Sequence, residues 1–295
     1  MSNHHSSKPP ASRSLPAHIQ AQLNSAGGET DTGGQPWKGR NLGEGTSHRH
    51  QFSEDDGARD AVIAEVFEKF VSGSCREEDV VRALSQCRVF VPVVAEVSHS
   101  VVTDEGLVAD KEADMALVSI QAPDGRKALP VFTDVKALQR WHPDARPVAA
   151  SMRKTALSAV EDGQQLLVVD PSEPITFVVR RPALWALAKG EPWIPSYADA
   201  RVEEALNALI PEGSGIVRVR AVAGDGVASQ TAEGQRLSGG GAGPELKMMV
   251  ELVPGLTQSE LNIVLEEFQR RLASDELVGQ QVDSVQLVLS MAYSS

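Results

Sequence analysis

Apolar residues recur with a helical period near the start of the ordered part of the chain. Val62, Ile63, Val66, Phe67, Phe70 and Val71 form one stripe, which predicts a helix over 60–71 that stops at Gly73. Ser74 and Glu77 have the spacing of a capping box, so a second helix is expected over 75–87 with Val80, Val81, Leu84 and Cys87 inward. The pattern then turns to strands. The run 89–96 reads as a strand that Pro92 places at an edge or a bulge, because proline cannot donate to a ladder. A polar loop follows over 98–113. The run 115–121 is apolar on both faces, as in a strand buried between layers. Pro123-Asp124-Gly125 is a turn, and 127–132 returns to complete a hairpin.

The stretch A-L-P-V-F-T-D-V-K-A-L-Q-R-W at 128–141 joins that strand to a helix. Thr133 is the expected N-cap, with Asp134 in the first turn and Val135, Leu138 and Trp141 on one face. Phe132 and Trp141 are expected in one core. A helix over 151–161 and strands over 165–169 and 175–179 come next, the strands linked by Asp170-Pro171-Ser172-Glu173-Pro174. Pro182 opens a further helix and Gly190 closes it. The stiff run G-E-P-W-I-P-S at 190–196 is the expected domain boundary. Beyond it the pattern is helix 199–210, strand 216–222, a glycine-rich structureless excursion over 223–244 and strand 246–253. A helix capped by Thr257 and Glu260 then buries Leu261, Val264, Leu265, Phe268 and Leu272, and strand 285–289 ends the pattern.

These elements lack strict βαβ alternation, so the expected class is α+β: two mixed α/β domains in tandem after a disordered N-terminal tail. The tail is 1–55, rich in Ser, Gly, Pro and His and poor in branched apolar residues. The first domain is 56–190 and the second 199–295.

Composition narrows the function. A net charge of −12 and a pI near 5.1 argue against nucleic acid as a partner. No apolar run approaches the ~20 residues of a membrane span, and no secretory leader is visible. The two cysteines, Cys75 and Cys87, are too far apart to pair if one helix carries both, which favours a reducing, cytoplasmic setting. No cofactor or metal site is expected. His48-x-His50 has no Cys partner, and the run at 239–243 lacks the G-K-[ST] of a phosphate loop.

Two groups of residues remain as candidates. His142, flanked by Asp134 and Asp144, could act as a general base in a hydrolase or transferase, although a histidine past a helix end needs no catalytic reason. The turn at Asp170-Pro171, together with Thr133 and Trp141, could form a surface for a protein partner.

The run L-P-V-F-T-D at 129–134, the helix reaching Trp141, the strand and turn L-L-V-V-D-P at 166–171 and the hairpin before Leu129 together resemble the SseB family, named for enhanced serine sensitivity. The resemblance covers 89–190 as that family's N-terminal domain, and 199–295 is similar in placement and size to its C-terminal domain. It implies a cytoplasmic bacterial protein of two α+β domains without established enzymatic activity, and it supplies no catalytic residues. The expected function is therefore a non-catalytic binding or regulatory protein. The alternative is the small-molecule hydrolase or transferase using His142 and Asp144.

Overall fold

The computed structural model describes residues 55–96, 114–122, 124–224, 228–230, 236–238 and 243–292. The tail over 1–55 lies outside them except for Asp55, as does the loop over 98–113. The chain divides into two compact units, one holding 1–54 and 93–117, the other Asp55–Pro92 and Val118–Ser295. In the first, the far half of β1 (Arg88–Glu96) pairs antiparallel with β2 (Asp114–Leu117), from Val93 opposite Leu117 to Glu96 opposite Asp114. Pro92 falls just before this ladder, so its missing N–H breaks no rung with β2, but β1 is paired on both sides and is not the edge strand that Pro92 suggested.

The second unit opens with α1 (Ala61–Val71). The Asp60 carboxylate accepts from Val62 N to cap it, and Ile63, Phe67 and Phe70 point inward. Helix α2 (Glu77–Ser85) starts later than the Ser74 capping box predicts. Ser74 bonds the Ser72 hydroxyl at 2.9 Å instead, and Asp79 accepts from Arg76 N at 2.9 Å to cap the helix. Cys75 and Cys87 therefore flank this helix, both as free thiols.

The expected strand 115–121 is two pieces, β2 and β3 (Ile120–Gln121), because each pairs with a different strand. The hairpin from β3 to β4 (Lys127–Val131) forms, with Gly125 at φ 86 in its turn. After β4 come α3 (Val135–Trp141), β5 (Arg146–Ser151), α4 (Met152–Glu161), β6 (Leu166–Val169), β7 (Phe177–Val179) and α5 (Arg181–Lys189). The pattern did not predict β5, whose Arg-Pro start and two alanines carry little strand signal.

Four of the strands, β5 not among them, make a sheet ordered β3-β4-β6-β7. Strands β4 and β6 are parallel, from Ala128 opposite Leu166 to Val131 opposite Val169. Parallel neighbours must be covered on both faces, and β4 is buried from Ala128 to Val131. Phe67, Phe132, Phe177, Leu138, Met152 and Leu184 fill the core around it.

A 3-10 turn, Ser196–Ala198, leads to α6 (Ala200–Ala208), β8 (Ile216–Ala223), β9 (Ala228–Gln230), β10 (Arg236–Ser238), β11 (Leu246–Leu252), α7 (Gln258–Ser274), α8 (Glu276–Gln281) and β12 (Val285–Met291). The excursion over 223–244 is thus not structureless. Strands β9 and β10 form an antiparallel ladder within it, and three-residue strands are too short to leave a periodic signal. Gly224 N donates to Glu245 O at 2.7 Å and closes its base. A Cβ at Gly224 would meet Pro244 O at 2.0 Å. The sheet β12-β11-β8 is mixed, antiparallel to β8 and parallel to β12. It packs on α6, α7 and α8 through Val202, Leu206, Val219, Val250, Phe268 and Val278.

The run 190–196 lies inside the second unit, and buried polar groups cross it. Arg180 is 2% exposed and donates to Gly243 O at 2.8 Å and to Asp283 Oδ2 at 3.1 Å. Arg126 donates to both oxygens of Asp283, at 2.8 and 2.9 Å. The Glu245 carboxylate, fully buried, accepts from Ser196 N at 3.2 Å and Asp283 N at 3.0 Å. Tyr197 donates to Glu77 at 2.6 Å.

Burial pushes the Glu245 carboxyl above its ordinary value, opposed by the Asp283 and Ser196 amides and the Arg180 charge. A raised acid holds its proton more tightly when folded. Its contribution to stability is therefore present at low pH and is lost as pH rises through the native value. The stability of the native chain minus that of Glu245→Gln should fall as pH rises from about 4, the ordinary Glu range. Urea midpoints of both chains along that rise test this, and a rising difference would refute it.

Candidate functional site

The two sequence motifs meet because β4 and β6 run parallel and in step. Thr133 follows the end of β4 and Asp170 the end of β6, and Asp170 N donates to Val131 O at 2.8 Å. The Asp170 carboxylate is fully buried. It accepts from Thr133 N at 2.7 Å, the Thr133 hydroxyl at 2.6 Å and Arg59 Nη2 at 3.0 Å. Arg59 Nε also donates to the Thr133 hydroxyl oxygen at 2.8 Å. Arg88 donates to Thr133 O at 2.7 Å and is held by Asp55. Burial pushes the Asp170 carboxyl above the ordinary Asp value, and the Thr133 hydrogen bonds and Arg59 charge pull against it.

This corrects the reading of Thr133 as a helix cap. Its hydroxyl donates across the sheet, and Asp134 caps α3 by accepting from Ala137 N at 3.1 Å. A carboxylate sealed from water needs donors more than a solvated helix end does. Thr133, Asp170 and Pro171 are buried and Trp141 is half-buried, with its ring 5.3 Å from that of Phe132. The motif residues are therefore brought together, but three of the four face the interior. Asp170 and Ser172 hold positive φ, 50° and 66°, which ordinary side chains avoid. Arg59 and Arg88, which complete the cluster, come from outside both motifs, and no local pattern marks them.

His142 and Asp144 do not form a dyad. His142 follows α3 and its backbone N–H donates to Leu138 O at 2.8 Å, while Asp144 is exposed and no hydrogen bond joins their side chains. Neither cysteine is primed as a nucleophile. Burial raises the Cys75 thiol and pushes Cys87 up to about 11. Among the described residues, no group of three or more His, Cys, Asp or Glu side chains could hold a metal ion, and no helix is long and apolar enough to cross a membrane.

A surface cleft of about 320 Å³ lies between α5, the run 191–193 and the end of α8. Trp185 and Trp193 line it with Arg181, Lys189 and Gln280. Trp185 is 47% exposed, and the Lys189 ammonium stands 5.9 Å from its ring centroid. Trp193 Nε1 is buried and makes no hydrogen bond to any described residue. Ile194, beside it in sequence, is also exposed. The reading of 190–196 as a linker missed this cleft. The available signal was that two of four tryptophans fall within nine positions of each other.

The first half of the large unit is thus an α+β domain built around two strand-end motifs. Residues 63–186 match the family model described as the SseB protein N-terminal domain, the family those motifs resemble. No curated protein and no solved structure matches the chain.

Replacing Thr133 by Val keeps the branched shape and removes the hydroxyl that Asp170 accepts. Loss of a hydrogen bond to a buried carboxylate should cost about 1.5–3 kcal/mol. Thr133→Ser, which keeps the hydroxyl, should cost less. Equal destabilisation of the two variants in urea denaturation would refute the role given to the hydroxyl.

Proposed function

We propose that the protein is a non-catalytic binding protein of the cytoplasm that docks an extended segment of a protein partner in the Trp185–Trp193 cleft. The observation that carries this reading is the exposed Trp185 indole, which lines the cleft with a second indole, Trp193, and two cations. An extended peptide offers flat apolar groups, proline above all, for the exposed ring. Arg181 and Lys189 at the cleft, against Glu191, make it locally basic in a chain of net charge −12. The segment it fits is therefore apolar with an acidic residue alongside. Two unactivated thiols and the exposed, unpaired Asp144 favour binding over catalysis, and two free cysteines favour a reducing compartment.

A random peptide library panned on the full chain should yield acidic, proline-bearing sequences. Trp185→Ala should weaken the selected peptides by about 2 kcal/mol, as for a central interface aromatic, and Lys189→Glu should weaken them too. Selected peptides that bind both variants as tightly as the native chain, or a panning that yields none, would overturn the reading.

A further inference from the structure

The sheet β12-β11-β8 has two unlike edges. On β8, Arg218 and Arg220 are exposed and pair with Glu203 at 3.1 Å and Glu251 at 3.0 Å. Charges of this kind keep an edge strand from recruiting another chain. Strand β12 has no such protection. Its sequence, V-Q-L-V-L-S-M, has no charge and no proline, and all seven residues lie in register on β11 without a bulge.

The core also stops one strand short of this edge. Val285, Leu287, Leu289 and Met291 lie beside Leu246, Met248, Val250 and Leu252, on the same face of the sheet. The β11 row is buried, at 0 to 3% exposure. On β12, Val285, Leu289 and Met291 are 41%, 39% and 58% exposed. On the covering helix α7, Phe268 is buried, whereas Leu261, Val264, Leu265 and Leu272 are half-buried and Ile263 is 65% exposed. Among the described residues no strand pairs with the outer edge of β12, and an apolar row beside such a ladder is an unfinished layer.

We propose that a second copy of the chain closes this edge. The two β12 strands pair antiparallel about a two-fold axis at Val288 and join the sheets of both copies. The strand's own pattern singles out a second copy. Pairing about Val288 sets Val285 opposite Met291 and Leu287 opposite Leu289 on the inner face. On the outer face it sets Gln286 opposite Ser290 and Val288 opposite its twin. Apolar meets apolar, polar meets polar, and no like charges face each other, although the chain carries −12 overall.

Sedimentation equilibrium on the full chain tests this, the monomer being 31.5 kDa. The native chain should sediment at twice that mass. Val288→Lys and Val288→Glu each set like charges on the axis and should each weaken self-association by at least about tenfold. An equimolar mixture of the two should re-form a dimer through a Lys–Glu pair. Val217→Lys, on the opposite edge, should leave association unchanged. Thermal melts establish that each variant folds. As a further check, Gln286→Glu with Ser290→Lys sets opposite charges across the axis and beside Lys247 and Glu251 on β11. This double variant should associate at least as tightly as the native chain. The proposal is overturned by a monomeric native chain, by a folded Val288→Lys that associates as the native chain does, or by a double variant that sediments as a monomer.

Discussion

The carboxylate of Asp170 sets the geometry of the central sheet. An anion sealed from water is costly, and here three donors offset the cost: the amide and hydroxyl of Thr133 and the guanidinium of Arg59. Two of these donors belong to the residue that follows β4, and the carboxylate belongs to the residue that follows β6. A slip of one register position would carry Thr133 away from Asp170 and leave the charge alone in the core. The parallel pairing is thus pinned at its far end by an ionic contact, and packing alone need not specify it. The same contact places Phe132, whose backbone bonds Phe90 in both directions, at 2.7 and 2.8 Å, and so ties β1 to the sheet. The positive φ of Asp170 is held by this arrangement, since its own N–H and C=O both have partners.

Elements that depend on neighbouring residues were legible in the sequence. The stripe of α1, the hairpin at Gly125, the capping box at Thr257 and Glu260 and the glycine stop of α5 are all present where spacing puts them. One failure came where a distant partner competes with a local one. Thr133 has the chemistry of a cap, but a buried carboxylate 37 residues away binds its hydroxyl. Ser74 fails for a local reason: its hydroxyl bonds that of Ser72, two residues back, and the helix it was expected to start begins later. The α7 stripe was correctly periodic, yet periodicity does not say whether a layer exists to cover it. The α+β class was readable because it rests on element types alone. The candidate site was only partly readable. The two motifs were visible, but Arg59 and Arg88 lie outside them, and whether a motif faces water is a property of the folded chain.

The run 190–196 shows how one composition supports two readings. Two prolines and a glycine make a stiff segment with few backbone bonds, which suits a linker. The same stiffness can hold an indole in place. In this fold the segment is bridged by Arg180, Asp283 and Glu245 and carries Trp193 into the wall of a cleft. The joint is polar, with each buried charge matched by a donor or an opposite charge, and such joints specify orientation more than they add stability.

The clamp at Gly224 and Glu245 closes the base of the glycine-rich excursion. Its two legs are fixed by an amide-to-carbonyl bond of 2.7 Å, and Glu245 is itself anchored in the joint between the halves. Beyond the clamp, added chain would cost only the slowly growing entropy of a longer loop, about 0.6 kcal/mol for each doubling. Length can therefore be added between the legs at little cost, whereas at position 224 even alanine would force the two legs apart.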